Sequence, residues 1–195
     1  MALGRSSFSI ALSGGHTPWK MLRELDPDAL GEPGTAILQV DERIAPEGDP
    51  DRNLTHLHES LRGPALERLL PMPVNDDDPD AAAERYGGAL PDSIDLVHLG
   101  LGPDGHTASL VPGDPVLDVD DRPVAITGNE YQGHRRMTLT YPTLAAARRL
   151  LFLVTGPEKR DALQKLLAGD DSIPAGPLGR QEGVIVADEA AAGKT

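Results

Sequence analysis

Short β-type runs alternate with helical patterns along the 195-residue chain, and this alternation limits the possible folds most. The runs rich in apolar and β-branched residues are 7–12, 36–40, 95–101, 123–127, 150–155 and 184–187. The helical patterns between them are 17–25, 53–61, 79–90 and 157–167. Apolar strands separated by helices are typical of βαβ units, which build a mostly parallel sheet with helices on both faces. The sequence therefore predicts a three-layer, Rossmann-like α/β fold over residues 1–195, which we interpret as a single domain.

The charge balance restricts the partners that the chain can have. Its formal net charge is −13, whereas a protein that binds nucleic acid needs a surplus of Lys and Arg. Cysteine is absent, which excludes disulfides and thiolate metal sites. No apolar run approaches the roughly 20 residues of a membrane helix, and the run near the start is too short for a signal peptide. We therefore expect a cytoplasmic protein that binds a small molecule and contacts neither nucleic acid nor membrane.

Polar or glycine-rich segments follow several of the predicted strands. SGGHTP (13–18) follows the first strand, DER (41–43) the second and GLGPDGHTASLVPG (100–113) the third, and Lys159 follows the fifth. In open α/β sheets, ligands bind beyond the carboxyl ends of the strands. We therefore expect these segments to meet at one edge of the sheet and to form a binding site there.

The SGGHTP segment has the features of an anion site at the start of a helix. Gly14 and Gly15 allow the backbone to approach a ligand closely, and the free N–H groups of a helix start favour an anion. The hydroxyls of Ser13 and Thr17 can add hydrogen bonds. A tight strand-to-helix turn capped by Thr17 needs the same residues. Spacing alone leaves phosphate binding and a structural turn equally open.

Three cations follow or precede predicted strands. Arg43 belongs to a charged triplet at a strand end, where charges are costly unless they pair or face a site. Lys159 lies in the first turn of a predicted helix, where the macrodipole disfavours a cation unless an anion binds nearby. Arg136 stands at the entrance to a strand and could bind a phosphate through both guanidinium nitrogens. The alternatives are a salt-bridged loop for Arg43 and a solvated surface for the other two.

The segment 100–113 begins with a G-x-G-x-x-G pattern, but it is a poor candidate for a dinucleotide site. Such a site needs its third glycine in the first turn of a long helix. Here Gly105 is followed by a short segment that Pro112 ends, and Pro103 removes one N–H donor.

His106 is therefore the most informative residue of this segment. It follows a strand in a tight loop, with Asp104 two residues before it, and imidazole is suited to accept a proton from water near neutral pH. Ser13 and Ser109 are less attractive nucleophiles, because neither lies in G-x-S-x-G. The histidines without a comparable setting are His56, His58, His98 and His134. No histidine pair has a spacing typical of metal ligands, so no metal site is predicted.

Several segments together resemble the 6-phosphogluconolactonases of the glucosamine-6-phosphate isomerase/6-phosphogluconolactonase family. The matching segments, in order, are 11–18, 41–53, 95–113, 136–163 and 187–192. GPDGHTASL (102–110) is highly specific, whereas SGG-x-TP is shared with glucosamine-6-phosphate deaminases. The resemblance implies hydrolysis of 6-phosphoglucono-δ-lactone in the oxidative pentose phosphate pathway. It implies a sugar-phosphate lactone as the partner, and neither a metal nor a cofactor.

The resemblance also implies roles for individual residues. His106 would be the general base, with Asp41 and Asp104 shaping the catalytic site. The cations for the phosphate or the developing charge would be Arg43, Arg136 and Lys159. The other substrate-binding residues would be Ser13, Gly14, Gly15, His16, Thr17 and Gly105. A backbone N–H of the loop 102–105, or Arg43, would hold the oxyanion.

Two departures from the family pattern bear on the expectations. His16 occupies a position where the family usually has a small residue, which would narrow the cradle or alter its pH dependence. Family members usually have a strand and a helix ahead of the segment 7–12, so we expect either that the sequence is truncated at its start or that one flank of the sheet is uncovered. We expect a monomer, with a homodimer as the alternative.

Two other functions stay open at this point. A glucosamine-6-phosphate deaminase would have the same fold, although its loop typically has an apolar residue and an asparagine after the histidine. Here the residues after His106 are Thr107, Ala108 and Ser109. The other alternative is a non-catalytic domain that binds a sugar phosphate.

Overall fold

The computed structural model describes residues 8–26 and 29–193, so Ser7 of the predicted run 7–12 lies outside the described residues. Its strands are β1 (Phe8–Leu12), β2 (Thr35–Gln39), β3 (Asp41–Arg43), β4 (Leu69–Leu70), β5 (Leu96–Leu99), β6 (Val124–Ile126), β7 (Arg136–Leu139), β8 (Leu150–Val154) and β9 (Gly183–Ala187). Its α-helices are α1 (His16–Glu24), α2 (Asn53–Ser60), α3 (Pro64–Glu67), α4 (Pro79–Ala89), α5 (Tyr141–Ala145) and α6 (Arg160–Ala168). Short 3-10 helices span Pro115–Asp118, Pro157–Lys159 and Gly176–Arg180. Within the described ranges, no helix has the length and apolar character to cross a membrane.

The main sheet confirms the predicted parallel architecture. Six strands pair in the order β4-β2-β1-β5-β8-β9, and every pairing is parallel. All carboxyl ends of these strands therefore meet at one edge. The last helix also matches its prediction, since Gly169 ends α6 with a left-handed φ of 62°.

Both faces of the main sheet are covered, as a three-layer fold requires. Ile10 and Leu12 of β1 belong to a buried cluster with residues of α1 and α2. On the other face, Ala11 and Val97 belong to a larger cluster that includes residues of α4 and α6. Alternate residues of a strand point to opposite faces, so one apolar run such as β1 serves both cores.

A second, antiparallel sheet differs from the sequence prediction, which gave one sheet. It pairs β3, β7 and β6 in that order. Val40 alone separates β2 from β3, and its N–H donates to Leu12 O (3.0 Å) while its carbonyl accepts from Leu139 N–H (2.9 Å). The chain therefore passes directly from one sheet to the other. This step brings Asp41 and Arg43 to the edge where the parallel strands end.

The face of the main sheet that packs against α1 and α2 carries exposed apolar side chains at one end. Val184 and Val186 of β9 are 53% and 48% exposed. Their register with Leu151 and Leu153 of β8 puts them on the same face as the buried Leu12. These two valines therefore leave an exposed apolar patch at this end of the face.

His98 of β5 lies in the interior and makes folding sensitive to acid. Its side chain is buried with Nδ1 3.3 Å from Ser13 Oγ, and Nε2 has no hydrogen-bond partner among the described residues. Burial lowers the pKa of His98 to about 4. Between about pH 6.5 and 4, His98 is protonated in the unfolded chain but stays neutral in the folded chain. The free energy of unfolding therefore falls as the pH falls through this window.

We expect His98 to account for about 2 kcal/mol of the stability lost between pH 7.5 and pH 5. Replacing it by an apolar residue, His98→Leu, removes the titrating group and should reduce the pH dependence by that amount. Urea unfolding at both pH values measures this difference. The exposed His58→Leu is the matched control and should keep the full dependence. An equal pH dependence of His98→Leu and the wild type would contradict the prediction.

Candidate active site

The predicted segments meet in one cleft of about 630 Å³ at the carboxyl edge of the main sheet. The predicted site residues that line it are Ser13, Gly14, Gly15, His16, Thr17, Asp41, Arg43, His106, Arg136 and Lys159. The volume is typical of a site for a small molecule. Other lining residues include Asn53, Thr155, Glu158 and Asp188, which the sequence reasoning did not select.

The turn before α1 has the geometry of an anion site. Gly15 has φ 123°, and α1 begins at His16 without a side-chain cap on its N–H groups. Thr17 does not cap the helix; its Oγ1 lies 2.7 Å from Thr155 Oγ1. A Cβ at Gly14 would lie 1.7 Å from Asn53 Oδ1, so only glycine fits there. The uncapped helix start favours a ligand over the alternative of a turn capped by Thr17.

Asp41 is buried and held by hydrogen bonds from two separate elements. Its Oδ2 accepts from Ser109 Oγ (2.6 Å), and its Oδ1 accepts from Asn53 Nδ2 (3.2 Å). Arg136 Nη1 lies 4.0 Å from Oδ2. The hydroxyl of Ser109 is therefore engaged in a hydrogen bond to Asp41 and is not a free nucleophile.

The guanidinium groups of Arg43 and Arg136 both line the cleft. Arg43 Nη1 donates to Asn53 Oδ1 and to the Asp51 carbonyl, both at 2.7 Å. Each of the two arginines has a buried Nε without a hydrogen-bond partner among the described residues. Burial lowers the pKa of Arg136, and nearby Arg43 acts in the same direction while Asp41 opposes it. Two guanidinium groups that line one cleft suit an anionic ligand.

Lys159 is the third cation of the cleft. It ends the short 3-10 helix Pro157–Lys159 just before α6 and is partly buried. Among the described residues its ammonium group has no ion pair or hydrogen bond, so this charge is free for a ligand.

His106 and Asp104 form a close pair beside these cations. His106 Nδ1 lies 2.6 Å from Asp104 Oδ1, and Asp104 Oδ2 accepts from the Tyr131 hydroxyl (3.2 Å). Burial alone would raise the pKa of Asp104, but the hydrogen bonds and charge of His106, with the hydrogen bond from Tyr131, lower it overall. Because Nδ1 faces the carboxylate, Nε2 is the ring nitrogen left to take a proton in the cleft.

Gly105 does not occupy the position expected of a substrate-binding residue. It does not line the cleft, and its N–H donates to the Gly102 carbonyl (3.0 Å). The N–H of Gly102 donates to the His106 carbonyl (2.8 Å). These N–H groups of the loop are used internally, so they offer no donor to an oxyanion. Gly105 serves the loop instead, with φ 82° and a neighbouring Ile173 that a Cβ would strike at 2.4 Å.

A group of one histidine and two carboxylates lies elsewhere, which the search for histidine pairs in the sequence did not address. Ligand atoms of Asp49, Asp51 and His134 lie within 4.8 Å of one another. His134 Nε2 is 3.1 Å from Asp51 Oδ2, and this ion pair accounts for the arrangement. The group was missed because His134 is distant in sequence from the two carboxylates.

Comparisons with known proteins place the chain in a family. The model for "Glucosamine-6-phosphate isomerases/6-phosphogluconolactonase" matches residues 2–186, and the chain belongs to this family. A 6-phosphogluconolactonase of Synechocystis sp. is 36% identical over 179 residues, which are 84% of this chain and 73% of that protein. The crystal structure of 6-phosphogluconolactonase from Thermotoga maritima has a TM-score of 0.82 at 26% identity, covering 94% of this chain and 86% of that one.

A larger relative shares only this part of its sequence. The GDH/6PGL endoplasmic bifunctional protein of Oryctolagus cuniculus is 36% identical over 171 residues, which are 80% of this chain. The chain spans 21% of that relative's length.

Proposed function

We propose that the protein hydrolyses 6-phospho-D-glucono-1,5-lactone to 6-phospho-D-gluconate, in the cytoplasm and as a step of the oxidative pentose phosphate pathway. The observation that carries this proposal is the position of His106. Its Nδ1 is held by Asp104 at 2.6 Å, and its ring lines the same cleft as three cations and the uncapped start of α1. A base and an anion site in one cleft suit a phosphorylated ester.

The reaction uses His106 twice. Nε2 takes a proton from water, and the hydroxide attacks the lactone carbonyl carbon to give a tetrahedral oxyanion. When the oxyanion collapses, the bond from this carbon to the ring oxygen breaks, and Nε2 returns the proton to that oxygen. Asp104 stabilises the imidazolium formed between these steps. Water is the only other reactant, so the scheme includes no metal and no cofactor.

The remaining groups bind the phosphate of the substrate and the oxyanion that forms during the reaction. The start of α1, with Arg43 and Lys159, binds the phosphate, and this remote anchor positions the lactone ring at His106. Arg136 contacts Tyr131, which in turn contacts the His106–Asp104 pair, and we assign the oxyanion to Arg136 on this ground.

We expect Arg43→Ala or Lys159→Ala to raise the KM about 10- to 100-fold with little change in kcat, because a charge-assisted hydrogen bond to the phosphate is lost. Initial rates over a range of lactone concentrations measure both constants. Lys165→Ala, an exposed position on α6, is the control and should leave the KM unchanged. A fall in kcat at constant KM would instead assign the residue to the oxyanion.

The activity itself is tested by hydrolysis of fresh 6-phosphogluconolactone, corrected for spontaneous ring opening. Ammonia release from glucosamine 6-phosphate is assayed alongside, since the family includes both activities. We expect catalysed lactone hydrolysis without ammonia. Ammonia release without hydrolysis would replace the proposal by the deaminase, and binding without either reaction would leave a non-catalytic domain.

A further inference from the structure

Tyr131 touches both members of the His106–Asp104 pair, although it lies outside the sequence segments that carry the family resemblance. Its hydroxyl donates to Asp104 Oδ2 (3.2 Å) and lies 3.4 Å from His106 Nδ1. Its ring meets the His106 imidazole edge-on, with centroids 5.2 Å apart and planes at 64°. The hydroxyl and the ring thus contact different parts of the pair.

The turn between β6 and β7 fixes Tyr131 from the other side. Tyr131 N–H donates to the His134 carbonyl (3.0 Å), and Gln132 and Gly133 take the positive φ values of 53° and 84° that close this turn. Arg136 Nη2 donates to the Tyr131 carbonyl (3.1 Å), and the guanidinium carbon lies 5.1 Å from the ring centroid. A cation at this distance stabilises the ring position.

The two carboxylate oxygens of Asp104 have different partners, and the Tyr131 hydroxyl contacts only one of them. Oδ1 faces His106 Nδ1 at 2.6 Å and accepts from the His106 N–H at 3.2 Å. Among the described residues, the partner of Oδ2 is the Tyr131 hydroxyl. Without that hydroxyl, only the two contacts with His106 orient the carboxylate, and Oδ1 is held less firmly on Nδ1.

We propose that Tyr131 is a positioning residue: its hydroxyl fixes the Asp104 carboxylate so that Oδ1 holds the Nδ1–H form of His106 and leaves Nε2 unprotonated toward the cleft. This inference rests on the proposed function, in which His106 is the general base. Burial, with the charge of Asp104, raises the pKa of Tyr131, which keeps the hydroxyl a donor.

The test compares Tyr131→Phe, which keeps the ring against His106 and Arg136, with Tyr141→Phe. Tyr141 also donates its hydroxyl, but to the Pro174 carbonyl (2.6 Å), and it does not line the cleft. We expect Tyr131→Phe to lower kcat about three- to tenfold at unchanged KM, because one hydrogen bond that orients the base is lost. Tyr141→Phe should keep the wild-type kcat. Equal kcat values for the wild type and Tyr131→Phe would overturn the inference.

A double-mutant cycle shows whether Tyr131 acts through Asp104. In Asp104→Asn, which alone lowers kcat, adding Tyr131→Phe should cause no further loss, whereas independent, multiplying effects would overturn the inference. His106→Ala separates the two proposals. If it loses activity while Tyr131→Phe does not, this inference alone fails. If His106→Ala keeps its activity, the general base fails first and the inference fails with it.

Discussion

We expect His106→Ala to lower kcat for 6-phosphogluconolactone about 100- to 10,000-fold, which is the range typical for removal of a general base. The imidazole is the group in the cleft whose Nδ1 is fixed by a carboxylate while Nε2 remains free to accept a proton. The KM should change little, since the phosphate is bound by other residues. Initial rates, corrected for spontaneous opening at each pH, measure the loss.

Stability separates a catalytic effect from a structural one in this variant. His106 is partly exposed, so its truncation leaves no closed cavity, and the melting temperature should stay close to that of the wild type. His58→Ala, an exposed histidine on α2, should keep full activity. Wild-type turnover in His106→Ala would remove the histidine from the mechanism and leave the family assignment untouched.

Apolar periodicity predicted five of the six strands of the main sheet and the edge that carries the site, but it missed the two-residue β4 and did not show that the run 123–127 belongs to the second sheet. Strands such as β1 and β8 read as continuous apolar runs because both of their faces are buried, and the rule about carboxyl ends then brought Asp41, His106 and Lys159 together. The second sheet could not be predicted in the same way. β3 and β6 are three-residue strands, too short for a pattern to show their direction or partner.

Contacts between loops that are distant in sequence could not be predicted either. Tyr131 reaches Asp104 only because the turn after β6 folds over the loop after β5. The resemblance implied that Gly105 binds substrate, but its N–H donates to the Gly102 carbonyl. A sequence shows where a glycine permits a close backbone approach. It does not show whether the N–H group of that glycine donates to a ligand or to another residue of the chain.

Glu42 contributes to stability, a role that the sequence did not indicate. It is the middle residue of the charged triplet, and its side chain points to the face of β3 opposite to that of Asp41. Its side chain is fully buried and lies opposite the cleft side of β3. Oε1 accepts from the N–H groups of Asn53 (2.7 Å) and Arg43 (2.8 Å). Oε2 accepts from Leu54 N–H at 2.7 Å and from Gln39 Nε2 at 3.0 Å. Since α2 has no side-chain cap of its own, Glu42 caps it from another element.

Glu42→Ala should lower the free energy of unfolding by about 3–5 kcal/mol, because it leaves the buried Arg52 guanidinium without the carboxylate 3.6 Å away and the first N–H groups of α2 without an acceptor. Urea unfolding followed by the single tryptophan, Trp19, measures the loss, and Trp19 stacks on His56 of α2 with centroids 3.8 Å apart. Glu59→Ala, an exposed glutamate on the same helix, should stay within about 0.5 kcal/mol of the wild type. A loss below about 1 kcal/mol in Glu42→Ala would mean that water or a rearranged side chain replaces the carboxylate.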